Sequence, residues 1–154
     1  MSNSSSKRDK ILIVVTVVLL LVLAGSYIYD RNDFVLARTL KIEMTDDMKV
    51  VSMSKYGVMF YRKAYQARIR TDIDKAEEKL EQIATTYNAG VEIYDYEAYK
   101  QFASETFQKE IIRPEPVVGT EVAVVKATDG DHLVTFMMDV ETDSDAFIYV
   151  YYNR

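Results

Sequence analysis

The sequence lacks cysteine and tryptophan and contains a single histidine, His132. Without cysteine, the chain cannot form disulfides, thiolate nucleophiles, zinc–thiolate sites or cysteine-linked lipid anchors. A site built from several imidazoles would need other chains. With only five glycines, the sequence also contains no glycine-rich phosphate-binding loop. These absences remove many common catalytic motifs, and no cofactor is expected.

Charge is distributed unevenly along the chain. The first 29 residues carry three basic side chains and one acidic side chain, a net charge of +2, whereas the remaining 125 carry 16 basic and 23 acidic side chains, a net charge of −7. Affinity for nucleic acid depends mainly on neutralising phosphates. An acidic body without a sustained basic stripe is therefore not expected to bind nucleic acid.

A long apolar run follows the basic N-terminus. Residues 11–29 contain no charged side chain, and a helix of 19 residues is about 28 Å long, close to the thickness of the hydrocarbon core. The run is apolar on every face, which excludes a helix on the surface of a globular domain. The sequence predicts a short basic tail over 1–10 in the cytoplasm, a signal-anchor helix crossing the lipid bilayer over 11–29, and an exported domain over 30–154.

A cleaved signal peptide is the alternative explanation of the same segment. Lys7, Arg8 and Lys10 would form its basic region and residues 11–23 its apolar region, and Ala24-Gly25-Ser26 would supply small residues before a cut after Ser26. The body would then be secreted. Both explanations export residues 30–154.

The exported body shows the pattern of a single α+β domain. The predicted strands are Leu36–Met44, Lys49–Ser54, Val58–Arg70, Val117–Thr128, His132–Glu141 and Ala146–Tyr152, and the predicted helices are 72–88 and 96–110. The order is thus β-β-β-α-α-β-β-β, with a small antiparallel sheet and both helices packed on one of its faces. For residues 58–70 a helix remains the alternative to a strand.

Local signals support two of these elements in particular. Helix 72–88 has an apolar stripe through Leu80, capping residues at Thr71 or Asp72, and a stop at Asn88-Ala89-Gly90. The last strand is apolar or aromatic on both sides, which is typical of a central strand covered on both faces.

Two groups of residues are candidates for metal or acid–base chemistry. The acidic series Asp139, Glu141, Asp143 and Asp145 offers several oxygens to a hard cation such as calcium, although its spacing does not match an EF-hand loop. His132 follows the turn Asp129-Gly130-Asp131, where a structural role in a hairpin competes with a catalytic one.

Two other groups suggest binding to a macromolecule. The sequence contains twelve tyrosines, and Tyr149 and Tyr151 share one side of the last strand. Exposed tyrosine is a frequent contact residue at protein interfaces. On a strand, Arg62, Arg68 and Arg70 also share one side and would meet an anionic polymer, lipid headgroups or an acidic partner.

Taken together, these features predict a membrane-anchored, extracytoplasmic interaction domain without enzymatic activity, with a protein or an envelope polymer as its partner. One alternative is a bitopic subunit of an envelope assembly of the secretion, conjugation or division type. Another is a cation-dependent hydrolase that uses the carboxylates of Asp129–His132 or Asp139–Asp145.

Overall fold

A computed structural model of the chain describes residues 3–58, 61–107, 111–140 and 144–153. In chain order, the elements are α1 (Asn3–Tyr29), α2 (Asn32–Thr39), β1 (Lys49–Val58), β2 (Tyr61–Asp72), α3 (Ile73–Thr86), β3 (Val91–Tyr94), α4 (Tyr96–Thr106), β4 (Val122–Asp129), β5 (His132–Val140) and β6 (Asp145–Asn153). The six strands form one antiparallel sheet in the order β1-β2-β6-β5-β4-β3. The body is therefore a mixed α+β fold, although its elements occur in a different order from the predicted one.

Helix α1 is the candidate membrane span. Its segment Asp9–Tyr29 is long and apolar enough to cross a bilayer, and none of it is buried against the body. A signal sequence near an N-terminus meets the same criterion. The one polar side chain of its aliphatic stretch, Thr16, donates its hydroxyl hydrogen bond to the Leu12 carbonyl within the same helix.

Helix α2 replaces the strand predicted for Leu36–Met44, so that prediction was wrong. Val35, Leu36 and Leu40 are buried, and Leu36 and Leu40 have the i, i+4 spacing that brings side chains to one side of a helix. The helix stops where Lys41 adopts a positive φ of 51°. A short helix with few apolar positions is hard to distinguish from a strand by periodicity alone.

The strand predicted for Val58–Arg70 is confirmed from Tyr61 onwards, where β2 begins, and the helical alternative is wrong there. Val58 ends the preceding strand β1, and residues 59–60 lie outside the described residues. In β2, Tyr65, Ala67 and Ile69 are buried on one face of the sheet, as the two-residue repeat of a strand requires.

The two predicted body helices exist but pack on opposite faces of the sheet, which corrects the predicted arrangement. Leu80 and Ile83 of α3 join one core cluster with Val125 and Ile148, and we call that side the α3 face. Tyr99 and Ala103 of α4 join a second cluster on the other side, the α4 face. Strands of a sheet covered on both sides must be apolar on both sides, as β4 and β6 are.

The missed strand β3 explains how the chain changes faces. Its four residues pair with β4 at the edge of the sheet, so the chain passes from the α3 face to the α4 face around that edge. Asp95 then starts α4 by accepting a hydrogen bond from the Ala98 amide at 2.8 Å, as expected of an N-cap. Helix α4 ends at Thr106, earlier than the predicted limit at 110, and residues 108–110 lie outside the description.

The C-terminal meander largely follows the prediction. Asp129 pairs with His132 around a turn in which Gly130 has a φ of 61°. Strand β6 lies between β2 and β5, which confirms its central position. Strand β4 begins at Val122 rather than Val117, because residues 117–120 form a turn. In this turn the Thr120 amide donates a hydrogen bond to the Val117 carbonyl, and Gly119 has a φ of 93°.

Candidate functional site

The register of β2 and β6 brings the predicted arginine and tyrosine groups onto one surface. Arg68 is the cross-strand partner of Tyr149, and Arg70 is the partner of Phe147. These side chains lie on the α4 face, since Tyr149 and Phe147 belong to the α4 core cluster. Arg68 and Arg70 of one candidate group and Tyr149 of the other therefore lie on the same face of the sheet.

A groove with a volume of about 590 Å³ lies on this face. It is lined by Arg68, Ile111, Ile112, Arg113, Glu115, Pro116, Val117, Thr120, Asp139 and Tyr149. Three of these residues, Arg68, Asp139 and Tyr149, are among the candidates predicted from the sequence. They form its floor, and the chain between α4 and β4 forms its wall.

The groove wall is held in place by hydrogen bonds to the sheet and to α4. The Ile112 amide donates to the side-chain oxygen of Gln66 at 3.1 Å, and the Tyr99 hydroxyl donates to the Pro114 carbonyl at 3.2 Å. The Arg113 guanidinium donates to the Ala103 carbonyl at 3.4 Å. Three separate anchors keep this extended segment from collapsing onto the floor.

Tyr99 is the most deeply placed of these anchors, at 2% exposure. Burial raises the pKa of its hydroxyl far above the ordinary tyrosine value, because burial disfavours the charged phenolate. Arg113, Asp139 and Glu115 also act electrostatically on this hydroxyl. Tyr99 thus lies within electrostatic range of three charged residues of the groove.

The floor of the groove combines an arginine with aromatic rings. The Arg68 guanidinium carbon lies 4.0 Å from the ring centre of Phe147 and 5.6 Å from that of Tyr149. Stacking of this kind favours a guanidinium and fixes its orientation. Asp139, which is 5% exposed, adds a carboxylate beside it in the same groove. The floor therefore contains both signs of charge next to aromatic rings.

The other predicted binding residues have different surroundings. Arg70 is exposed, and its Nε lies 3.9 Å from the Asp145 carboxylate. Tyr151 is partly buried and packs edge-to-face on Phe107, with ring centres 5.2 Å apart. Arg62 lies in β2, where the structure describes its backbone. Tyr151 thus has a packing contact in the core cluster.

The structure leaves the predicted cation site as a prediction. Glu141 and Asp143 lie outside the described residues. Asp139 points into the groove, whereas Asp145 is close to Arg70. Among residues 3–58, 61–107, 111–140 and 144–153, no three His, Asp or Glu side chains form a group that could hold a metal ion.

The histidine turn has structural contacts. The His132 ring stacks on Tyr152, with ring centres 4.7 Å apart, and Asp129 accepts a hydrogen bond from Lys41 at 2.8 Å. These contacts join the β4–β5 hairpin to β6 and to the chain after α2.

Compared with known proteins, the chain matches no family model, no curated protein and no solved structure. Its function must therefore be inferred from its own geometry. The groove wall includes Arg113-Pro114-Glu115-Pro116, for which no functional role was predicted from the sequence. Both prolines of the chain fall in this segment. Their spacing favours an extended chain. This was the signal in the sequence that could have identified the extended groove wall.

Proposed function

We propose that this chain is a membrane-anchored, non-enzymatic binding domain that faces away from the cytoplasm and receives a partner protein in the groove. The observation that carries the proposal is the exposed apolar segment Asp9–Tyr29, which continues almost directly into the packed body. An aliphatic helix with no protein covering it requires another apolar environment, and a bilayer supplies one.

Charge at the two ends of the span supports its orientation. Lys7, Arg8 and Lys10 precede the span, and Asp30 is the first charged residue after it. Short flanking segments rich in Lys and Arg remain in the cytoplasm, so the body is on the other side. Tyr27 and Tyr29 stand at the far end, where interfacial aromatic residues are enriched.

The composition of the span favours a simple tether over assembly through the membrane. Helices that associate within a bilayer commonly approach through small residues spaced four apart, or through polar side chains. Here the small residues Ala24, Gly25 and Ser26 are consecutive at one end, and the Thr16 hydroxyl is bonded within its own helix. Recognition is therefore assigned to the body.

The groove supports the assignment of a protein partner. Tyrosine and arginine are enriched where proteins bind one another, particularly beside apolar contacts. The groove is lined by Arg68 and Arg113 next to Ile111 and Val117, and its wall is fixed by the hydrogen bonds described above. Tyr149, which the sequence suggested as an exposed contact, is only 4% exposed and packs in the floor. A preformed site avoids part of the entropy cost of ordering on binding.

Cell fractionation with external protease tests the anchor and its direction. We expect a C-terminally tagged chain to sediment with membranes at full length and to lose its tag when protease is added to spheroplasts. A shortened form free of the membrane would instead indicate cleavage after Ser26, and a tag protected until the cells are lysed would contradict the orientation.

Site-specific photocrosslinking tests the groove. A photoreactive residue at Val117, on the exposed rim of the groove, is expected to capture a protein and give one discrete product in intact cells. The same probe at Val51, an exposed position on the edge strand β1, is the matched control and should not give that product.

Three results of this experiment would count against the proposal. Identical products from Val117 and Val51, or no product from Val117, would contradict binding in the groove. A continuous smear of high mass would indicate an envelope polymer in place of a protein.

Exchange of residues 11–29 for an unrelated spanning helix should preserve the crosslinked product. Loss of the product would support the bitopic assembly.

A further inference from the structure

The junction of α1 and α2 exposes apolar side chains at the end of the candidate span and just beyond it. Tyr27 is 75% exposed, Ile28 57% and Phe34 42%. Arg31 and Arg38 are also exposed beside them. We call these five residues the collar. Large apolar side chains gathered on a surface indicate that something covers them.

The collar is held rigidly to both the helix and the body. The Arg38 guanidinium lies 3.6 Å from the ring centre of Tyr29, and that ring lies 6.2 Å from the ring of Phe34. On the body side, Lys55 of β1 donates a hydrogen bond to the Asp30 carbonyl and lies 3.7 Å from the Asp30 carboxylate. The Lys55 ammonium is only 13% exposed, so this contact joins the end of α1 to the sheet.

The composition of the collar matches the headgroup layer of a bilayer. Aromatic rings and arginines that combine an apolar body with a polar end are favoured at that depth. The Arg31 guanidinium is neutralised by the Asp33 carboxylate at 2.6 Å, so the collar needs no anionic headgroup to rest there. The collar also begins inside the last turns of α1 and continues only nine residues past it, to Arg38 in α2. Continuity with the span therefore brings the bilayer itself, rather than another protein, to this surface.

We infer that the collar rests in the headgroup layer of the outer leaflet and holds the body in one orientation, with the groove away from the membrane. This inference rests on the proposed membrane anchor. The sheet register separates the groove from the contact between α1 and the body. Lys55 pairs with Tyr65, whereas Arg68 and Arg70 lie three and five residues further along β2, or about 10 and 17 Å at the rise of a strand.

The groove is also on the opposite face of the sheet from α2, the helix that carries Phe34 and Arg38 of the collar. The buried residues of α2, Val35 and Leu36, pack in the α3 cluster, and the groove opens on the α4 face. Val118, at the turn beside the groove wall, is 80% exposed. In the inferred orientation this turn is far from the lipid.

Single tryptophans can test the inference, because the chain contains none. We would place Leu20→Trp, Phe34→Trp and Val118→Trp separately in the full chain, reconstituted in phosphatidylcholine vesicles whose acyl chains carry bromine at a shallow or a deep position. Bromine quenches a nearby indole. We expect Leu20→Trp to be quenched most by deep bromine, Phe34→Trp to lose about half of its emission with shallow bromine, and Val118→Trp to be unchanged.

Each other outcome overturns a different statement. If Leu20→Trp is quenched while Phe34→Trp behaves like Val118→Trp, the collar does not contact lipid and the anchor stands. If Val118→Trp is quenched as strongly as Phe34→Trp, the orientation is wrong. If Leu20→Trp is not quenched at all, α1 does not enter the bilayer, and the proposed anchor fails together with the inference.

Discussion

Leu80→Asp is expected to abolish the cooperative unfolding of the body. Leu80 is 1% exposed in the middle of α3, where an ionised carboxylate would have no partner and no water. Burial of an unpaired charge belongs to the few substitutions that cost more than about 4 kcal/mol, against a total stability of about 5–15 kcal/mol for a typical domain. The near-UV circular dichroism of the tyrosines, followed during heating of the full chain in detergent, measures the effect.

Glu81→Asp is the matched control for this substitution. It places the same aspartate one residue further along α3, at a position that is exposed. The control should melt within a few degrees of the wild type. A Leu80→Asp chain that melts as cooperatively as the control would mean that α3 buries a different face.

Leu36→Ala is expected to destabilise the body by about 2–5 kcal/mol, the usual cost of truncating a buried leucine. Leu36 is 0% exposed and packs in the same core cluster as α3, although it lies only seven residues after the candidate span. Denaturant unfolding of the full chain in detergent, followed by the tyrosine signal, gives the difference in free energy.

Phe34→Ala provides the comparison within the same helix. It removes a larger side chain, but one that is partly exposed, so the loss should be below about 2 kcal/mol because less apolar area returns to water. If both substitutions cost the same, or if Leu36→Ala costs nothing, α2 is not part of the core. The result would then also weaken the rigid connection between the span and the body.

The parts of the fold that were predicted correctly are those with redundant local signals. Helix α3 has an apolar stripe, Asp72 at its N-cap position and a stop at Asn88, which adopts a positive φ of 52°. Strand β6 is apolar or aromatic on both sides over the seven residues 146–152, which indicates a central strand. Several signals within one short window suffice for such elements.

The parts that were missed depend on contacts between distant segments. The four residues of β3 carry too little pattern to identify a strand, and without β3 nothing in the sequence moves α4 to the other face. Likewise, Arg68, Arg113 and Tyr149 meet only through the register of β2 with β6 and the path of the chain after α4. The periodicity of a sequence describes one element at a time. It does not say which residues of two neighbouring strands are paired.

Only Asp30 and Arg31 lie between the end of α1 and the start of α2, and two residues extend at most about 7 Å. A domain on a long flexible linker samples a large volume above its membrane, and its effective concentration at any one point falls as the linker lengthens. With α1 in a bilayer, this body has almost no flexible linker between it and the membrane. Its groove would stay at a fixed distance from the membrane surface. Any binding partner would have to extend to that distance itself.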